Sequence, residues 1–381
     1  MTNEPAAGSS TLGAADSWQP DVLGDGYEYR TLDLGTDPDG EGEIVATLVR
    51  HLPDTGASGS ADPGSRGTVV SSASGTAAAV LYLHGFTDYF FQRHVAEHLT
   101  ARGHRFYALD LRKCGRSLRA NQTPHFIGDL ALYDRELNES LRLIAAETQG
   151  NVLVMGHSTG GLVASLWLDR LQRAGGTAAA GISGLVLNSP WFDLQGPAYV
   201  RTVGTQLINT VGRFRAKSAL PLSKSSAYGD SLHHSVAGEW DYDLDWKPRQ
   251  GFPVRAGWLR AIRLGQARLH RGLDIGVPAL LLRSKLTQFA REYGPAVDVA
   301  DAVLDVAQIQ RWAGCLGDRT TIVPIDGARH DVFLSAEGPR TEAFRELDSW
   351  LDWLATYYPG EHAQRPSTRR RAVPGSPHAG A

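Results

Sequence analysis

Residues 152–168 read Val152-Leu-Val-Met-Gly156-His157-Ser158-Thr159-Gly160-Gly161-Leu-Val-Ala-Ser-Leu-Trp-Leu168. Val-Leu-Val-Met is a short apolar run of the kind that makes a buried strand, and the run from Leu162 onward reads as a helix. Between them, Gly-His-Ser-Thr-Gly places a serine on a strand-to-helix turn so tight that only glycine fits on either side. A turn of this kind lifts the hydroxyl clear of the sheet on strained backbone angles. The Thr159 N–H opens the helix and points where an anionic oxygen would be stabilised. Ser158 is therefore the candidate nucleophile.

Outward from that turn the chain alternates strands and helices. Strands are predicted at 27–34, 44–52, 78–83, 106–111, 152–155, 185–187, 277–282 and 320–325. Phe91, Val95 and Leu99 repeat every four residues up to Gly103. Leu130, Leu137, Leu141 and Ile144 share one helical face, as do Phe344, Leu347, Trp350, Leu351 and Leu354. This rhythm predicts an α/β fold: a mostly parallel central sheet, helices on both faces, and functional loops at the carboxyl ends of the strands. The rhythm breaks over 190–276, a stretch too long for a simple connection, which reads as an inserted cap. The expected plan is a disordered segment 1–26, a folded domain 27–359 with a flexible loop at 53–76, and a disordered basic tail 360–381.

Composition narrows the function. With 381 residues, 42% of them apolar, the chain can bury a sizeable core. Lys+Arg 38 against Asp+Glu 41 leaves a net charge of −3, which gives no electrostatic reason for a nucleic-acid partner. Cys114 and Cys315 alone make neither a disulfide framework nor a Cys-rich zinc site. No apolar run approaches the roughly 20 residues of a membrane span. The first residues lack the basic start and apolar stretch of a secretory signal, so a cytoplasmic protein is expected.

A serine hydroxyl needs a base. Of 13 histidines, His94 and His98 read as helix-surface residues, His233 and His234 lie in the cap, and His157 should point away from the serine. His330, in a loop after the strand TTIVPI, is the expected base. Its carboxylate partner must follow the strand VPALLL, where Asp298, Asp301 and Asp305 are available. Asp305 suits the start of a helix, and Asp301 is chosen. The loop His84-Gly85-Phe86-Thr87 is placed to offer the Phe86 N–H as a second oxyanion donor beside that of Thr159.

Residues 75–358 resemble the α/β-hydrolase superfamily, in its serine-hydrolase branch of monoacylglycerol lipases, lysophospholipases and S33-type serine aminopeptidases. The motifs are LHGF at 83–86, ALDLRKCGRS at 108–117, GHSTGG at 156–161, ADAVLD at 300–305 and GARHDVF at 327–333. The resemblance implies nucleophile Ser158, base His330, acid Asp301, oxyanion amides at Phe86 and Thr159, and hydrolysis of a lipid-like carboxylic ester with no metal or organic cofactor. Two departures stand out. Lys113 occupies a position where the family pattern D-x-R-G-x-G-x-S has glycine, and the acid loop is lengthened between Ser284 and Asp301.

In the cap, Trp191, Phe192, Trp240 and Trp258 are the expected substrate-binding aromatics. Arg255, Arg260, Arg263, Arg268 and Arg271 lie on a helix-like run that would allow peripheral contact with anionic lipid. A same-fold alternative is amide hydrolysis at an N-terminal residue, with Glu239, Asp241, Asp243 or Asp245 anchoring the substrate ammonium. A third is a non-catalytic ligand-binding protein.

Overall fold

The computed structural model describes residues 17–52, 79–148, 150–195, 211–222 and 225–357. The loop expected at 53–76, the tail expected at 360–381 and the first 16 residues lie outside the described residues.

Nine strands form one sheet: β1 (Gln19–Pro20), β2 (Tyr27–Thr36), β3 (Glu43–His51), β4 (Ala79–Leu83), β5 (Arg105–Asp110), β6 (Val152–His157), β7 (Ile182–Asn188), β8 (Ala279–Ser284) and β9 (Thr320–Ile325). Their spatial order is β1-β2-β3-β5-β4-β6-β7-β8-β9. The first three strands join antiparallel to one another and to β5, and every pair from β5 to β9 is parallel.

The parallel strands read as unbroken apolar runs because both faces are covered. In β4, Leu81 and Leu83 pack to one side and Val80 and Tyr82 to the other. The first side receives α2 (Asp134–Thr148) and α3 (Thr159–Ala174); the second receives α1 (Arg93–Ala101) and a long C-terminal helix, Glu337–Tyr357. That last helix presents Leu347, Trp350, Leu351 and Leu354 inward, as their spacing predicts. Each such side chain removed from water contributes roughly 1.5–3 kcal/mol. The strands therefore end together, and the loops after β4, β6, β7, β8 and β9 gather at one edge of the sheet.

The cap lies between β7 and β8. It contains α4 (Ala227–Leu232) and α5 (Ala256–Leu269), and α5 rests on α3. The close approach depends on Gly265, where a Cβ would stand 2.9 Å from Leu130 and Leu166. Beyond the cap the described residues include α6 (Val306–Trp312) and the C-terminal α7 (Glu337–Tyr357). Among the described residues no helix is long and apolar enough to cross a membrane.

Three expectations need correction. Disorder does not extend to residue 26. The Trp18 indole donates to Glu147 at 2.8 Å beneath the Arg50 guanidinium, and Asp21 pairs with Arg116 at 2.7 Å. One aromatic and one acid, each with a polar partner on the folded domain, tie the segment to the sheet edge. The cap arginines are also less free than a basic face requires. Arg263 pairs with Asp193 at 2.7 Å, Arg268 with Asp169 at 2.8 Å, and Arg255 donates to the Lys217 carbonyl. Finally, His94 and His98 are half-buried and bonded rather than free on the helix surface: His94 bonds the Phe333 carbonyl at 2.9 Å and His98 bonds Asp348 at 2.8 Å, joining α1 to the C-terminal part.

Lys113 explains how the chain does without the family's glycine. Its backbone takes φ 62°, the left-handed region glycine favours, and its side chain is fully buried. The ammonium meets Asp37 at 2.5 Å and Glu41 at 3.0 Å on the β2–β3 hairpin. Glu41 also receives Lys217 of the cap at 3.0 Å. Burial pushes the Glu41 carboxyl up, but donors on Thr123, Lys113 and Lys217 outweigh it and hold it at about 2.

Candidate active site

Ser158 sits between β6 and α3 at φ 52° and ψ −116°, a conformation that costs about 1–3 kcal/mol for a non-glycine residue. Its surroundings hold it there. Its N–H donates to the Asn188 carbonyl at 2.9 Å, and its carbonyl accepts from Gly161 and Trp191 at 3.1 and 3.0 Å. A Cβ at Gly160 would stand 2.4 Å from the His84 carbonyl oxygen, and one at Gly156 would stand 2.8 Å from that of Gly160. The glycines are thus required by close approach of backbone.

The loop after β9 brings His330 to the same cavity wall as Ser158. The His330 Nδ1 and Asp301 Oδ2 are 2.8 Å apart, and both residues are buried. Asp301 Oδ1 accepts from the Val303 and Leu304 amides at 2.8 and 2.7 Å. A carboxylate so engaged only accepts, so the imidazole proton belongs on Nδ1 and the Nε2 lone pair is free. The added length of the acid loop is an excursion closed at its base: Asp301 N donates to the Leu286 carbonyl and Gln288 N to that of Asp301. This returns Asp301 to the end of β8. The other two acids do separate work. Asp305 caps α6 through the Ala307 amide, and Asp298 holds Arg329 at 2.7 Å and Tyr293 at 2.8 Å.

The loop after β4 folds over the serine. His84 Nε2 accepts from the Leu111 amide at 3.1 Å, so its Nδ1–H donates to the Gly85 carbonyl at 2.8 Å. A Cβ at Gly85 would lie 3.0 Å from that of Ser158. Phe86 and Thr159 both line the cavity, and among the described residues neither N–H has an acceptor. The cap fixes the rest of the loop: Phe252 N donates to Thr87 Oγ1 at 3.0 Å, and Lys247 pairs with buried Asp88 at 2.7 Å. Burial raises the Asp88 carboxyl, but the Lys247 charge and hydrogen bond, together with the neighbouring His157 and His84, bring the net direction down.

Sequence reasoning missed a clamp behind the histidine. Asn188 Nδ2 donates to Asp331 Oδ1 at 2.6 Å and its Oδ1 accepts from Val332 N at 3.1 Å, while its carbonyl holds Ser158 N and His157 Nδ1. Tyr228 of the cap adds its hydroxyl to the Asp331 amide and its ring edge to His330. The signal available was a polar residue ending the apolar strand Leu185-Val-Leu-Asn188. His157 bonds the Asn188 carbonyl through Nδ1 at 3.1 Å and lines the same cavity, its ring 4.8 Å from that of His330; burial pushes its pKa down, so it stays neutral.

The cavity over Ser158 is about 480 Å³. Trp191 and Trp258 line it with Phe86, Phe252, Val254 and Leu304. Phe192 and Trp240 do not, contrary to expectation. Phe192 is fully buried in the core under the cap. Trp240 stacks on His94 and donates to the Leu334 carbonyl at 2.9 Å, outside the cavity. Cys114 has an imidazole nearby, His125 Nδ1 at 3.2 Å, but burial raises the thiol and lowers the imidazole, leaving both uncharged.

The family description "Serine aminopeptidase, S33" matches residues 74–336. The chain belongs to this hydrolase family. None of the curated proteins matches it. Its fold is shared with a soluble variant of Saccharomyces cerevisiae monoglyceride lipase in complex with a substrate analog, at TM-score 0.55 and 13% identity over 86% of this chain and 96% of that one. It is also shared with the monoacylglycerol lipase of Paleococcus ferrophilus, at TM-score 0.54 and 19% identity over 74% and 96%. A lipase in an open form gives TM-score 0.55 and 17% identity over 86% and 99%. These likenesses establish an α/β-hydrolase fold.

Proposed function

We propose that this protein is a serine hydrolase that cleaves a carboxylic ester with an apolar acyl chain through an acyl-enzyme. The observation that carries the reading is a buried histidine with Nδ1 on Asp301, set on the cavity wall that also presents Ser158 at a left-handed turn. Ser158 attacks the carbonyl while His330 Nε2 takes its proton. Asp301 fixes the tautomer and stabilises the imidazolium. The unpaired N–H groups of Phe86 and Thr159 receive the oxyanion, each worth about 10²–10³ in rate. His330 then protonates the departing alcohol, and water repeats the sequence on the acyl-enzyme.

The cavity lining supports an ester of an apolar acid as the substrate class. An aminopeptidase needs a free carboxylate for the substrate ammonium. Among the described residues Asp88 is the acid on this wall, and Lys247 already neutralises it. Glu239 pairs with Arg340, Asp241 with His234, and Asp243 accepts from the Asp245 amide. The aromatic and aliphatic walls, and the fold held in common with two monoacylglycerol lipases, favour an acyl chain. A panel of p-nitrophenyl esters and aminoacyl-naphthylamides tests the reading. Ester turnover with kcat/KM well above that for the amides is expected; the reverse preference would overturn it.

A further inference from the structure

We infer that the packed rings of Phe86 and Trp258 form the end wall of the acyl pocket and set the longest chain the enzyme accepts. The inference rests on the ester-hydrolase reading. Behind the wall lies a second, much smaller cavity of about 20 Å³, room for a single water. Leu111, Cys114, Leu130, Val163 and Ile262 line it, together with His125. Phe86, Thr159 and Trp258 line this chamber and the main cavity alike, so these residues are what separates the two. The two rings lie 4.0 Å apart at 30°, and Trp191 continues the aromatic wall 5.8 Å from Trp258.

The wall is rigid because α5 cannot recede. A Cβ at Gly257 would stand 2.7 Å from Ala216, and one at Gly265 would stand 2.9 Å from Leu130 and Leu166, so the helix is in contact along its length. A chain running past Trp191 therefore meets a closed face and must displace an indole to go further. The chamber beyond suits an alkyl terminus. Its aliphatic side chains are joined by His84, Tyr133, Cys114 and His125, the last two kept uncharged by burial. Removing the indole joins the chamber to the main cavity. Phe86 is no test of this, since its amide belongs to the oxyanion site.

Trp258→Ala is therefore compared with wild type on p-nitrophenyl butyrate and dodecanoate. The ratio of kcat/KM for the long over the short ester cancels any general loss of rate within one variant. We expect it to rise at least about tenfold, since even one methylene newly accommodated is worth that much. Ile262 stands one turn beyond Trp258 and lines only the inner chamber. Trp258→Ala with Ile262→Phe refills it, and the ratio should return towards wild type. A readout free of turnover uses calorimetric binding of hexanoate and dodecanoate in a Ser158→Ala background, where Trp258→Ala should favour dodecanoate by a similar factor. Unchanged long-to-short ratios in both assays would overturn the wall. Binding that lengthens in a protein whose wild type hydrolyses no ester would keep the wall and refute the proposed reaction.

Discussion

Replacing Asp301 by asparagine asks the sharpest question of the site. Asp301 Oδ1 accepts two backbone amides, from Val303 and Leu304. Only an oxygen satisfies both, so the asparagine carbonyl takes that place and its NH₂ turns to His330 Nδ1, which now must accept. The imidazole proton moves to Nε2, the nitrogen that the proposed mechanism uses as base, and the base is lost without any change of shape. The same tautomer reversal in a serine protease triad costs about 10⁴ in kcat, or about 5 kcal/mol of barrier. Ester hydrolysis by purified Asp301→Asn should fall by roughly that factor, with KM little changed and the thermal midpoint close to wild type. Asp298→Asn is the control, because its carboxylate holds Arg329 and Tyr293. Its kcat should stay within a factor of about three. If Asp301→Asn keeps kcat within tenfold while Asp298→Asn loses it, the acid has been misassigned.

Other consequences follow from the clamp and the buried ions. Asn188→Ala removes two bonds that register the His330 loop against the serine turn, and kcat should drop by about 10² with little change in KM. Lys247→Met strands the buried Asp88 carboxylate and should cost about 3–5 kcal/mol in urea unfolding, most of it regained in Asp88→Asn with Lys247→Met. Glu41, held at about 2 against an ordinary 4.5, binds its proton more weakly folded than unfolded. The stability gap between wild type and Glu41→Gln should therefore be full above pH 4.5 and close as pH falls towards 2; a gap independent of pH would show that the ion cluster plays no part.

Much of the fold was legible because a parallel sheet covered on both faces leaves apolar runs that stand out between turns. The serine turn was legible for a different reason: close backbone approach forces glycine at Gly156 and Gly160. The acid was only narrowed, since Asp298, Asp301 and Asp305 sit within one turn-rich stretch and are told apart by which partner the chain path brings near. Aromatic content marks a cap but carries no direction, so Trp191 and Trp240 look alike in sequence yet face the cavity and His94 respectively. Long-range pairs were invisible for the same reason. Asp21 meets Arg116, and Lys113 reaches Asp37 from a backbone shape normally left to glycine.

The most direct test is covalent. Treating the purified protein with an alkyl fluorophosphonate and mapping the adduct by peptide mass spectrometry should place a single phosphonyl group on Ser158 in stoichiometric yield, with none on Ser158→Ala and slow labelling of His330→Ala. An unlabelled wild type, or label persisting on another residue in Ser158→Ala, would contradict the account.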